Sequence, residues 1–132
     1  TYAFYKAFTI SGNVNYNSIK GNSTPDLFVT GFNTPRWTSN LSIGNRALTR
    51  TLGFNVVWKW QDNFLWESPL VTGRVAAINT LDAQITVRVP NLKSTVKLGG
   101  TNLLNYRHIQ YAGGPTIGAL YYAAITVDGL LK

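Results

Sequence analysis

The residues best equipped for chemistry in this chain of 132 residues fall between its regular stretches. Asp62 and Glu67 flank Trp66, and a pair of carboxylates around an aromatic platform is what glycoside hydrolysis would need. A general acid there requires a raised pKa, which nothing adjacent in sequence enforces, so both carboxylates are expected to be solvated. His108 sits among Tyr106, Arg107 and Tyr111, a group able to combine ring stacking with hydrogen bonding toward a sugar or a peptide. The plainer reading is a loop folded on its neighbours, with the tyrosines packed and Arg107 in water. Together with Trp66 these four are the candidate ligand-facing residues. Gly99-Gly100 and Gly113-Gly114 lead into no helix, so neither pair is a phosphate-binding loop. Ser, Asp and His all occur, but no nucleophile elbow does. With no Cys and a single His, the chain has no disulfide framework, thiolate metal site or histidine cluster. No catalysis, cofactor or metal is expected.

What remains is binding, and the elements that would position it are strands. Hydrophobic residues make up 45% of the chain and charged ones 13%, about half the usual charged share, which excludes disorder and long charged helices. The net charge of +7 raises nucleic acid as a partner, yet the basic residues are scattered singly and no recognition helix is visible, so none is expected. No apolar run approaches the roughly 20 residues of a transmembrane helix.

Six segments alternate with period two. Phe8, Ile10, Val14 and Tyr16 alternate with Thr9, Ser11, Asn13, Asn15 and Asn17. Trp37, Leu41 and Ile43 oppose Thr38, Asn40 and Ser42. Leu52, Phe54, Val56, Trp58 and Trp60 oppose Gly53, Asn55, Lys59 and Gln61. Leu81, Ala83, Ile85, Val87 and Val89 interleave with Asp82, Gln84, Thr86 and Arg88. Val96 and Leu98 oppose Lys97, Gly99 and Thr101, and Tyr121, Ala123, Ile125 and Val127 oppose Tyr122, Ala124, Thr126 and Asp128. The expected fold is all-β, an antiparallel up-and-down sheet of about six strands.

Connections alternate in length: long at Ser18–Arg36, short at Asn45–Thr51, long at Asp62–Thr80, short at Pro90–Ser94 and long at Asn105–Ala119. One end of such a sheet carries tight turns and the other long loops, the asymmetry of a transmembrane β-barrel. Tyr16, Trp37, Trp58, Trp60 and Tyr121 all fall at the long-loop end of the apolar face, where an aromatic girdle would meet headgroups. A soluble β-rich module, such as a carbohydrate-binding domain stacking sugars on Trp66, Tyr106 and Tyr111, shares the alternation but not this collection of rings at one rim. Six strands cannot enclose a hydrated lumen, so partner strands are expected from elsewhere, either the rest of a larger chain or further copies forming a multi-chain pore.

The stretch Gly99-Gly100-Thr101-Asn102-Leu103-Leu104-Asn105-Tyr106-Arg107 resembles a segment on the penultimate strand of TonB-dependent outer-membrane receptors. Gln110-Tyr111-Ala112-Gly113-Gly114-Pro115-Thr116-Ile117-Gly118, then Leu120-Tyr121-Tyr122, is similar to the lead into the final strand in their SusC-like branch. Phe32-Asn33-Thr34-Pro35-Arg36-Trp37 is similar to the entry of an earlier strand there. The resemblance spans residues 1–132 as the C-terminal portion of the barrel. It implies a 22-stranded barrel in the bacterial outer membrane, filled by a plug domain outside this sequence and ending in the periplasm. It also implies TonB, a SusD-like surface lipoprotein and outer-membrane lipid as partners, and oligosaccharides or peptides as cargo. The end, Gly129-Leu130-Leu131-Lys132, departs from the aromatic terminus common in such barrels.

Overall fold

The computed structural model describes residues 2–4, 7–18 and 33–127. Most of the first long connection, Phe32 of the strand-entry motif, Asp128 at the end of the sixth segment and the stretch Gly129–Lys132 lie outside them.

The described residues are all-β. Seven strands form one antiparallel sheet: β1 (Tyr2–Phe4), β2 (Phe8–Tyr16), β3 (Trp37–Asn45), β4 (Leu52–Gln61), β7 (Ile78–Val89), β8 (Ser94–Thr101) and β9 (Leu120–Val127). Strands β2 to β9 of this sheet follow one another up and down in the order expected from the six segments. Between β4 and β7 the chain forms a separate two-stranded hairpin, β5 (Phe64–Glu67) with β6 (Thr72–Val75). That connection was expected to be a plain long loop.

Local chemistry closes both short turns. Pro90 lacks an N–H and ends β7, and Lys93 takes a left-handed φ of 45° with its N–H donated to the Pro90 carbonyl at 3.0 Å. In the β3–β4 turn the Ala47 N–H is donated to Asn45 Oδ1 at 2.9 Å, and Leu52 N–H to Thr49 Oγ1 at 3.0 Å.

The register keeps the expected faces. Phe54 pairs with Ile85 and Ile85 with Leu98, while Asn55 pairs with Gln84 and Gln84 with Gly99. Gln84 and Thr86 therefore lie on the polar face and Ile85 and Val87 on the apolar one. The apolar face is uncovered: Leu41, Ile43, Ile85, Leu98 and Tyr121 are all exposed, and Ile125 keeps 71% of its surface. The buried apolar residues sit elsewhere, at Val75, Ile78 and Ala112, where the hairpin meets the last long loop.

The sheet is also staggered. Tyr121 pairs in an unbroken row through Gly100, Ala83, Val56 and Ile43 to Ile10. The aromatic rim on β2 is Tyr16, six residues beyond Ile10 and paired with Trp37, so the rim steps by six residues across five strand spacings. The other end steps in the same direction. The row through Phe8, Asn45, Phe54, Ile85 and Leu98 starts at the β1–β2 turn, whereas β8, four spacings from β2, reaches four residues further, from Leu98 to Ser94 at its turn.

Candidate functional site

The long-loop end of the polar face is concave, with a cleft of about 640 Å3. Its floor comes from alternate residues of three neighbouring strands: Thr38 and Asn40 of β3, Lys59 and Gln61 of β4, and Thr80 and Asp82 of β7. Phe64 from the hairpin and His108, Gln110 and Ile117 from the last loop complete the wall.

Two left-handed asparagines shape that loop, and Asn is the non-glycine residue best suited to this conformation. Asn102 has φ of 52° and Asn105 φ of 51°. Asn102 is buried, donates Nδ2 to the Tyr106 carbonyl at 2.9 Å and accepts the Tyr106 N–H on Oδ1 at 3.1 Å. Its own N–H is donated to Asp82 Oδ1 at 2.8 Å, and Asn105 Oδ1 accepts the Ala119 N–H at 3.0 Å. The Asn102-Leu103-Leu104-Asn105 segment is thus a clamp that fastens the loop to β7 and returns it toward β9. Gly113, with φ of 80°, serves the turn before Pro115.

Asp82 also accepts Lys59 Nζ on its second oxygen at 2.6 Å. The lysine side chain is 52% exposed and the aspartate 16%, so solvent screening holds this pair to about 1 kcal/mol or less. The cleft's two charges neutralise each other, and its remaining polar lining is hydroxyls, amides and one imidazole. Thr80 is nine-tenths buried.

Four of the five expected ligand-facing residues form two pairs on the hairpin and the last loop. Trp66 and Tyr111 are tilted rings with centroids 5.5 Å apart, which ties the hairpin to the last loop. Tyr106 and His108 stack at 6.3 Å and 16°. His108 Nδ1 donates to the Tyr106 carbonyl at 2.9 Å, because a carbonyl can only accept, and its backbone pairs with Ile117. Of the five, His108 lines the cleft. Arg107 is exposed and makes no hydrogen bond or ion pair with the described residues.

The two carboxylates beside Trp66 are not brought to one cleft. Asp62 Oδ1 accepts the Asn63 N–H at 2.8 Å and lines a separate surface groove with Arg36 and Arg74. Glu67 is engaged through its backbone, which exchanges hydrogen bonds with the Asn33 side chain at 2.7 and 2.8 Å.

The lining residues Asn40, Gln61, Thr80, Asp82 and Gln110 were not singled out in sequence. Parity places the first four on the polar face, but only the β4–β7 register sets Asp82 beside Lys59, and the inserted hairpin hides that register.

On the apolar face the rim rings contact one another and their neighbours. Tyr16 and Trp37 lie 4.6 Å apart, and Trp58 donates its indole N–H to Asn79 Oδ1 at 2.6 Å. At the opposite end Phe8 and Phe54 meet edge to face at 6.0 Å. No helix among the described residues is long and apolar enough to cross a membrane, which says nothing about strands.

The fold and the site together define an all-β protein with a staggered up-and-down sheet, one uncovered apolar face and a capped polar cleft. Comparison with protein-family models, curated proteins and solved structures finds no match.

Proposed function

We propose that this chain supplies the last strands and the loops of an outer-membrane transporter of the TonB-dependent, SusC-like type, importing large nutrients such as oligosaccharides or peptides. The observation that carries the reading is the stagger of the sheet's two ends. Six residues at about 3.3 Å against five spacings at about 4.8 Å give a slope of roughly 40° along the aromatic rim. Four residues against four spacings give roughly 35° along the turns. Two independent markers therefore describe parallel levels, tilted as strands tilt in closed membrane barrels, about 35–45°. Strands of 8 to 12 residues match the 9–11 needed to cross at such a tilt.

In this reading the apolar face meets lipid between the Tyr16–Trp37 rim and the Phe8–Phe54 pair. The hydroxyl- and amide-lined face borders a hydrated lumen beside the plug, and the capped cleft faces incoming cargo and a SusD-like lid. The role is passage and binding, with no catalytic step. Edges β1 and β9 need further strands, because lipid satisfies no backbone groups. TonB would act through parts of the receptor outside this sequence.

The absence of cysteine makes labelling a direct test. Single cysteines at Val56, Leu98 and Ile125 should react only with a lipid-soluble maleimide in native membranes. Those at Asn55, Lys97 and Thr126 should react with a small water-soluble one. Equal labelling of both sets by the water-soluble reagent sinks the proposal.

A further inference from the structure

Charge in the described residues is divided along the strands. Arg46, Arg50, Arg88, Lys93 and Lys97 occupy the half nearer the short turns with no acid among the described residues there, whereas in the long-loop half Arg36, Lys59, Arg74 and Arg107 are accompanied by the acids Asp62, Glu67 and Asp82. The two short turns also expose apolar side chains, Leu48 at 46% and Leu92 at 69%. Each turn thus pairs cations with an exposed leucine: Arg46 and Arg50 with Leu48, and Lys93 with Leu92. Arg88, on the polar face of β7, donates Nη2 to the Arg46 carbonyl at 3.1 Å, and its N–H to the Thr51 carbonyl at 2.7 Å. These bonds hold the β3–β4 turn against the end of β7, so the cationic groups form one rim.

We propose that this rim binds the headgroups of anionic phospholipid, with Arg46, Arg50 and Lys93 taking phosphates and Leu48 and Leu92 entering the acyl boundary. The proposal rests on the barrel reading and adds to it a lipid preference in the leaflet at the short-turn end. Cations beside exposed leucines fit a surface that is anionic outside and apolar just beneath. The turns also run parallel to the aromatic rim, so all three cations meet one headgroup plane. An acidic protein would satisfy the charges but would leave the leucines without a stated partner.

The test uses the assembly containing the chain, extracted from its native membrane and moved into nanodiscs of equimolar phosphatidylglycerol and phosphatidylcholine. Co-released lipids are counted by native mass spectrometry. The wild type should retain phosphatidylglycerol preferentially, and the preference should fall about fivefold for each cation removed at low salt. The triple variant Arg46→Gln/Arg50→Gln/Lys93→Gln should show almost none, whereas Arg74→Gln should be unchanged. High salt should erode the wild-type preference without any mutation, which keeps the test informative if the triple variant assembles poorly. An inserted assembly with no preference, or one unaffected by the triple change, overturns the lipid rim and leaves the barrel standing. Loss of the preference to inorganic phosphate at constant ionic strength overturns it in favour of a free-anion site. An acidic protein that co-purifies and is lost from the triple variant, with lipid unchanged, overturns it in favour of protein docking. Recovery of the chain from the aqueous fraction overturns the barrel reading as well.

Discussion

Replacing Ile85 with arginine places a charge at the centre of the exposed apolar face. Ile85 is 51% exposed and is paired with Phe54 on one side and Leu98 on the other. It lies four residues from Leu81, near the slope of the aromatic rim, and four from Val89 at the turn. On the proposed tilt this is mid-height of the band. Arginine on the lipid face costs about 2–4 kcal/mol at the bilayer midplane and about 0–1 near an interface. Ile85→Arg should therefore reduce the assembled population by about 30- to 700-fold in the equilibrium constant. Val89→Arg, on the same face at the turn, should cost a few-fold at most, and Thr86→Arg and Gln84→Arg on the polar face should be tolerated. The assay is the level of folded, heat-modifiable protein in outer-membrane fractions, followed by denaturant titration of the extracted assembly. Comparable losses at Ile85 and Gln84 would refute the assignment of faces. Equal losses at Ile85 and Val89 would refute the depth, and with it the tilt argument.

Removing the cleft's aspartate should do more damage than removing its lysine. Asp82→Ala deletes a charge-assisted bond to the Asn102 N–H, costing about 1.5–3 kcal/mol, against about 1 kcal/mol or less for Lys59→Ala. Hydrogen exchange at the Leu103, Asn105 and Tyr106 amides should speed up in the first variant only. Gly99→Val should displace Tyr122, because a Cβ there would lie 2.6 Å from the ring's Cζ. That breaks the 3.0 Å bond from the Tyr122 hydroxyl to Gln84 Oε1, and the loss of stability should exceed the roughly 1 kcal/mol expected for Tyr122→Phe. A double-mutant cycle on Trp66 and Tyr111 should return about 0.5–1.5 kcal/mol of coupling, and zero coupling would show that the cap is not held by this pair.

Six of the main sheet's seven strands were legible because their side chains obey a two-residue period that survives several violations. Gly12, Ser39 and Asn79 share the apolar face, and Val57 and Ile78 the polar one, and two of the five have a local reason. Asn79 accepts the Trp58 indole N–H, and Ile78 is 8% exposed where the hairpin folds over. The hairpin itself was not legible. Phe64-Leu65-Trp66-Glu67 and Thr72-Gly73-Arg74-Val75 are four residues each, too short to carry a period, and they hold together by packing against the last loop. A Cβ on Gly73 would lie 3.0 Å from that of Ala112, a contact between residues far apart in the chain that no local pattern announces. Strand β1 is missed for the same reason, having three residues. The five candidate ligand-facing residues were found through residue type alone, which identifies rings able to stack but not whether they face a ligand or each other. Trp66 and Tyr111 turn out to meet each other. The deepest gap is between parity and register. Parity decides which residues share a face and needs only one strand at a time, so the aromatic rim could be assigned to an end and a side. Register decides how far each strand slides past its neighbour and exists only between strands. The six-residue step from Ile10 to Tyr16 has no meaning until the row from Ile10 to Tyr121 is known. The tilt, and with it the argument on which the barrel proposal rests, is therefore a property of the pairing.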